Sequence, residues 1–151
     1  MQLTNLLTPR STLVDVPGIS KKRLLESIAE FVADLFPEND PEDIFDGLIE
    51  RERLGSTGIG EGVAIPHCRI ESCQEIIGVL MRLQDPIDFD AIDKAPVDLV
   101  FTLLVPTTAV DTHLQALQTI ATNFNEASYR DKLRAASSDF ELYEAAVDPE
   151  F

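Results

Sequence analysis

The chain has 151 residues, 44% apolar and 26% charged. That is enough to bury a core without disulfide or metal support, and it fits one domain spanning residues 1–151. Its 27 Asp and Glu against 12 Lys and Arg leave a formal charge of −15, which excludes nucleic acid and anionic membrane surfaces as partners and favours a basic protein.

No apolar stretch approaches the length of a spanning helix, and "MQLTNLLTPRST" at the start lacks the apolar core of a secretory signal. The expected location is the cytoplasm, with Cys68 and Cys73 as reduced thiols. "TLVDV" (Thr12 to Val16) reads as a short strand ended by Pro17-Gly18. Ser20 caps a helix whose Leu24, Ile28, Phe31 and Leu35 recur at helical spacing, and Pro37 stops it. "NDPED" starts a second helix, with Asp40 as cap, Pro41 in the first turn and Glu42 and Asp43 at the positive end of the dipole. Ile44, Phe45, Leu48 and Ile49 form its buried face, and it ends near Leu54-Gly55.

A glycine-rich loop follows, then a short strand at Val63 to Ile65. "IIGVLMRL" (Ile76 to Leu83) and "VDLVFTLLV" (Val97 to Val105) are nearly continuous apolar runs, the pattern of strands covered on both faces. A short edge strand is expected at Ile87 to Phe89. Pro106 breaks the chain, and Asp111 or Thr112 is the expected cap of a helix carrying Leu114, Leu117, Ala121 and Phe124. Two shorter helices are expected at Tyr129 to Ala136 and Ser138 to Val147. The order of elements predicts an α/β protein (α+β by some schemes), a three-layer α-β-α domain around a mixed sheet of about four to five strands.

The chain has two histidines. His67 follows Pro66 at the end of "STGIGEGVAIPHCR" (Ser56 to Arg69). A neutral imidazole is a nucleophile near neutral pH and forms covalent intermediates in group transfer. Glycines allow close backbone approach, and loop N–H groups can cradle a phosphoryl group. Ser56 and Thr57 add hydroxyls beside Gly58 and Gly60. Arg51 ends the second helix, and a guanidinium suits phosphate. His113 starts the helix after the second long strand, where α/β proteins often place ligand sites. Taken singly, each has a plain structural reading: a turn, a solvated cation, a helical histidine. Together they make a phosphoryl-handling site.

"RERLGSTGIGEGVAIPHCR" (Arg51 to Arg69) resembles the signature of the enzyme IIA domains of the bacterial phosphotransferase system, fructose–mannitol class, nitrogen-regulatory branch. "LLVPTTAVDTHLQALQTIA" (Leu103 to Ala121) and "SKKRLLESIAEFV" are similar to further blocks of that family, so the likeness covers nearly the whole chain. The resemblance implies that His67 is the phosphoryl acceptor, charged by a histidine phosphocarrier that draws on phosphoenolpyruvate through enzyme I. It implies that His113 orients or stabilises the phosphorylated ring and that Arg51 balances phosphoryl charge. Ser56, Thr57, Gly58 and Gly60 would line the phosphate-binding loop, and Glu61 is a candidate to position the ring. No cofactor, metal or membrane insertion is implied. Cys68 stands where related proteins often have a small residue such as glycine.

A zinc site at "HCRIESC" is disfavoured, because its spacing matches no common pattern. Two functional readings remain. In one, phosphorylation of a regulator changes which protein target it binds. In the other, a sugar-specific enzyme IIA passes phosphate to an enzyme IIB during carbohydrate uptake. No IIB or IIC segment is recognisable in the chain, which favours the regulator. A binding domain that has lost phosphotransfer is disfavoured by the intact His67, His113 and Arg51.

Overall fold

The computed structural model describes residues 1–149; positions 150–151, the end of the span expected to form one domain, lie outside the described residues. Strand β1 is Thr12–Val16. Helix α1 (Lys21–Leu35) starts where the Ser20 hydroxyl accepts the Arg23 N–H, and α2 (Pro41–Arg53) starts where the Asp40 carboxylate accepts the Glu42 N–H at 2.8 Å. Both caps satisfy helix N–H groups that lack an intrahelical partner.

The sheet has six strands among the described residues: β1, β2 (Gly58–Gly60), β3 (Val63–Ala64), β4 (His67–Arg69), β5 (Ile77–Ile87) and β6 (Val97–Val105). Its order is β1-β5-β6-β3-β2, and β4 also pairs with β6. The β5–β6 and β2–β3 pairs are antiparallel; β1–β5, β3–β6 and β4–β6 are parallel. The β3 and β4 strands run in succession along one edge of β6, Val63 opposite Leu99 and His67 opposite Leu103. The interruption between them falls at Ile65 and Pro66, and proline has no N–H to give a ladder. The Pro66 carbonyl still accepts the Leu103 N–H at 2.9 Å, which keeps β4 in register.

Successive β6 residues serve opposite layers. Val100 and Leu104 face the core built by Leu24, Ile28, Ile44 and Leu48 of α1 and α2. Leu99, Phe101 and Leu103 face the core shared with α3 (Val110–Phe124), α4 (Ala127–Ala135) and α5 (Asp139–Val147). This is the α-β-α sandwich that the two apolar runs predict, since each run must be apolar on both faces. Each fully buried aliphatic side chain contributes about 1.5–3 kcal/mol. At the outer edge, the Asp139 carboxylate accepts the Val14 N–H at 2.8 Å, which occupies one ladder group of β1.

Several details differ from the sequence-based expectation. The strand count is slightly higher than expected, because β2, within the glycine-rich loop, and β4, beyond Pro66, are three-residue strands too short for a periodic signal. No separate strand covers Ile87 to Phe89; Ile87 is the last residue of β5, whose register shifts between Arg82 and Ile87 around Pro86. Neither Asp111 nor Thr112 caps α3. That helix starts at Val110 with Ala109 as cap residue and no side-chain cap bond, because the turn in which Ala109 N–H bonds the Pro106 carbonyl brings the chain into the helix earlier.

Candidate active site

Strand β4 begins at His67 and runs parallel to β6 at its carboxyl end. Period two places His67 and Arg69 on one face of β4 and Cys68 on the other. Cys68 is buried in the α1–α2 core, and a Cβ at Gly47 would lie only 2.9 Å from its sulfur. Burial pushes the Cys68 thiol up to about 12, and Cys73 is likewise pushed up to about 11, so neither is a thiolate at neutral pH.

The imidazole of His67 is held at both nitrogens. Its Nδ1 lies 2.8 Å from the Ile65 carbonyl oxygen, and Arg51 Nε–H donates to its Nε2 at 3.3 Å. A carbonyl only accepts and a guanidinium only donates, so the proton sits on Nδ1 and Nε2 keeps its lone pair. Arg51 is itself fixed, its Nη1 donating to the Gly55 carbonyl at 2.8 Å. His113, in the first turn of α3, meets His67 edge-on with ring centroids 5.6 Å apart and planes at 65°. Its Nε2 is buried and has no hydrogen-bond partner among the described residues. Burial is the main cause that lowers the pKa of both rings below the ordinary 6.5. Arg51 lowers that of His67 further, and His67 and Arg69 lower that of His113. Both rings are therefore neutral at pH 7.

Between these groups opens a cavity of about 650 Å³, lined by Arg51, Arg53, Arg69, His67 and His113 with Gly47, Glu50, Leu54 and Cys68. Three of the chain's 12 Lys and Arg are on its wall, but one of its 27 Asp and Glu. In an acidic protein this is a local concentration of anion-binding groups.

The predicted trio of His67, His113 and Arg51 thus meets at one cavity. The predicted loop residues do not line it. The Ser56 hydroxyl donates to the Phe89 carbonyl at 2.6 Å. Thr57 is buried with its hydroxyl on Glu52. Gly58 and Gly60 belong to β2. Glu61 sits at a turn with its carboxylate 3.8 Å from Arg130, and the carboxylate bonded to the loop backbone at Thr57 is Glu52. Arg69 and Arg53 line the cavity without having been expected there. The signal for Arg69 is its place two residues from His67 in an extended segment, which puts both side chains on one face.

Fold and site together define a class: an α-β-α protein that presents two histidines to an arginine-lined cavity, one of them held with its Nε2 unprotonated. The profile of the family described as "Phosphoenolpyruvate-dependent sugar phosphotransferase system, EIIA 2" matches residues 5–146, and the chain belongs to that family. It is 51% identical over 148 residues to a nitrogen regulatory protein of Pseudomonas aeruginosa, covering 98% of this chain and 96% of that one. Its fold is similar to the crystal structure of the nitrogen regulatory protein IIA-Ntr from Neisseria meningitidis, with TM-score 0.87, 37% identity and coverage of 93% and 96% of the two chains. Mannitol IIA from Escherichia coli shares the fold at 18% identity, with TM-score 0.77 over 93% of this chain and 98% of that one. Among the described residues no helix is long and apolar enough to cross a membrane.

Proposed function

We propose that the protein accepts a phosphoryl group on His67 Nε2 from the phosphohistidine of a small carrier protein, and that the phosphorylated and free forms act mainly as a regulator of other proteins. The single observation that carries this reading is the tautomer lock: Nδ1–H on the Ile65 carbonyl, Nε2 facing Arg51. Arg51 Nε–H releases Nε2 and turns to the phosphoryl oxygens, the freed Nε2 lone pair attacks phosphorus as the carrier's P–N bond breaks, and the bonding pair returns to the carrier's ring nitrogen. No proton moves on His67, because Nδ1–H is already in place and stays there. Such a transfer needs positioning and charge balance more than acid–base chemistry. Arg51 balances the phosphoryl oxygens from one side, and the unpartnered His113 Nε2 meets one from the other.

The surface around the cavity suits a protein donor. Leu54 on its wall and Val110 and Leu114 beside His113 are exposed apolar side chains, which fits the apolar contact centre of a protein interface. A phosphoryl group adds negative charge at this centre and changes which partner it accepts. The nitrogen-regulatory relatives support the regulatory branch over transfer to an enzyme IIB.

The test is intact mass after incubation with phosphoenolpyruvate, enzyme I and the phosphocarrier. Wild type is expected to gain one acid-labile phosphoryl group and His67→Ala none. Full labelling of folded His67→Ala would remove the assignment.

A further inference from the structure

The loop that carries His67 is fastened from behind by a nearly buried ion pair. The Glu52 side chain is 5% exposed and lies 2.8 Å from the Lys21 ammonium at the start of α1. Lys21 also donates to the Phe89 carbonyl at 3.3 Å and lies 4.8 Å from the Phe89 ring centroid. The Thr57 N–H is 3.2 Å from both Glu52 oxygens, and the Thr57 hydroxyl donates to Oε1. The Thr57 carbonyl accepts the Ile65 N–H at 3.0 Å, and the Ile65 carbonyl accepts the His67 Nδ1–H. A series of hydrogen bonds therefore runs from the Glu52 carboxylate, through Thr57 and Ile65, to the reacting ring. Glu52 also directly follows Arg51 in α2, so the end of one helix addresses His67 by two routes, one to each ring nitrogen.

Withdrawing two charges from water is costly unless their remaining hydrogen-bonding capacity is filled. Here that capacity is filled by the loop, which ties the cost of the pair to the loop's register. Once Nε2 bears a phosphoryl group and Nδ1 keeps its proton, the imidazole ring is formally cationic, and a carboxylate behind the loop favours that charge.

We propose that Glu52 is a positioning residue for His67, setting through Thr57 the register that aims Nε2 into the cavity and supplying the negative charge behind the phosphorylated ring. This rests on the reading of His67 as phosphoryl acceptor. The charged and titratable groups around the ring are Arg51 and Glu52 from α2 and His113 from α3, with Arg69 of β4 beyond His113 and Glu50 and Arg53 elsewhere on the cavity wall. Of these, Glu52 raises the His67 pKa while burial and Arg51 lower it.

The experiment compares wild type, Glu52→Gln, Glu52→Asp and Thr57→Val, each checked for folding by circular dichroism. The first readout is the NMR titration of the His67 ring in the unphosphorylated protein. The second is the rate of phosphoryl acceptance from the charged carrier. Glu52→Gln is expected to move the His67 titration to lower pH and slow acceptance by about tenfold or more. Glu52→Asp restores the titration more than the rate, because it keeps the charge and shortens the reach. Thr57→Val slows acceptance while moving the titration less.

A folded Glu52→Gln protein with wild-type titration and wild-type rate overturns the proposal. If that variant does not fold, Glu52→Asp decides: it keeps the charge but draws the carboxylate back from the Thr57 N–H, so an unchanged rate overturns the loop coupling. If wild type takes no phosphoryl group while the titration moves as expected, the acceptor reading fails and the coupling of Glu52 to His67 stands.

Discussion

Two segments bracket the His67 ring, and they are built in opposite ways. Residues 51–69 are tied side chain to backbone at several points: Arg51 to Gly55, Glu52 to Thr57, Ser56 to Phe89, Asp93 to the Glu61 N–H and Arg134 to the Glu61 carbonyl. Residues 106–113 are held by backbone bonds, Ala109 N–H to the Pro106 carbonyl and His113 N–H to the Ala109 carbonyl. The α3 helix starts without a side-chain cap, and the buried His113 Nε2 has no partner among the described residues. A buried unsatisfied polar atom costs about 1–3 kcal/mol, and a phosphoryl oxygen would satisfy this one. On the proposed reading the accepting ring is fixed before the phosphoryl group arrives, whereas His113 waits with an unmet hydrogen bond. Preorganisation is most useful where attack geometry is demanding.

The largest effect is expected where the tied segment turns. Gly60, Glu61 and Gly62 all have positive φ, and a Cβ at Gly62, where φ is +77°, would lie 2.4 Å from Arg134 Nη2 and 2.9 Å from Asp98 Oδ1. Gly62→Val should destabilise the fold by about 3 kcal/mol in denaturant titration and abolish phosphoryl acceptance. Thr112→Ala, an exposed change in the loosely held segment, should stay within about 0.5 kcal/mol of wild type. Equal losses from the two would erase the contrast between the segments.

His113→Ala sharpens it. Loss of one group that meets transition-state charge should slow acceptance by about a hundredfold, while stability holds or rises because an unpartnered buried atom is gone. A fall in stability comparable to that of Gly62→Val would make His113 a structural residue instead.

The pH dependence follows from both rings together. Each has a pKa lowered in the fold, mainly by burial. Well above 6.5 the folded and unfolded chains both hold neutral histidines, and the contribution to stability is fully present. As pH falls below 6.5 the unfolded chain takes up protons that the fold resists, and stability is lost down through the lowered folded values. Acceptance should be flat above pH 6.5 and decline only at lower pH, as His67 Nε2 is protonated. A decline that begins well above 6.5 would contradict the lowered His67 value.

The layers of the fold were legible because they rest on long signals. The nine residues of β6 are apolar on nearly every position, and that pattern is satisfied only between two helix layers. The α1 and α2 caps were legible because Ser20, Asp40 and Pro41 act locally. The small strands β2 and β4 were not, since three residues carry no period and their pairing depends on β3 and β6, placed by the rest of the sheet. At the site, His67, His113 and Arg51 were recognisable by residue type and by resemblance. Nothing in the local pattern points to Glu52, whereas Glu61 is nearer to His67 in sequence. The hairpin turn carries Glu61 away to Arg130, while α2 carries Glu52 under the loop. Sequence proximity misled where the chain reverses direction.

A last comparison separates two atoms that look alike. Besides His113 Nε2, the Thr102 hydroxyl is buried without a partner among the described residues. Thr102 lies between Val100 and Leu104 on the face of β6 that packs under α1 and α2, away from the cavity wall. Its unmet hydrogen bond answers to no ligand. Thr102→Val keeps the branched shape and removes the hydroxyl, so it should raise stability by about 1 kcal/mol in denaturant titration and leave phosphoryl acceptance unchanged. Removing the unpartnered nitrogen of His113 should instead cost transfer rate. If both substitutions stabilise and neither slows transfer, the His113 nitrogen is a packing cost like the Thr102 hydroxyl. If only His113→Ala slows transfer, the missing partner at that position is the phosphoryl group.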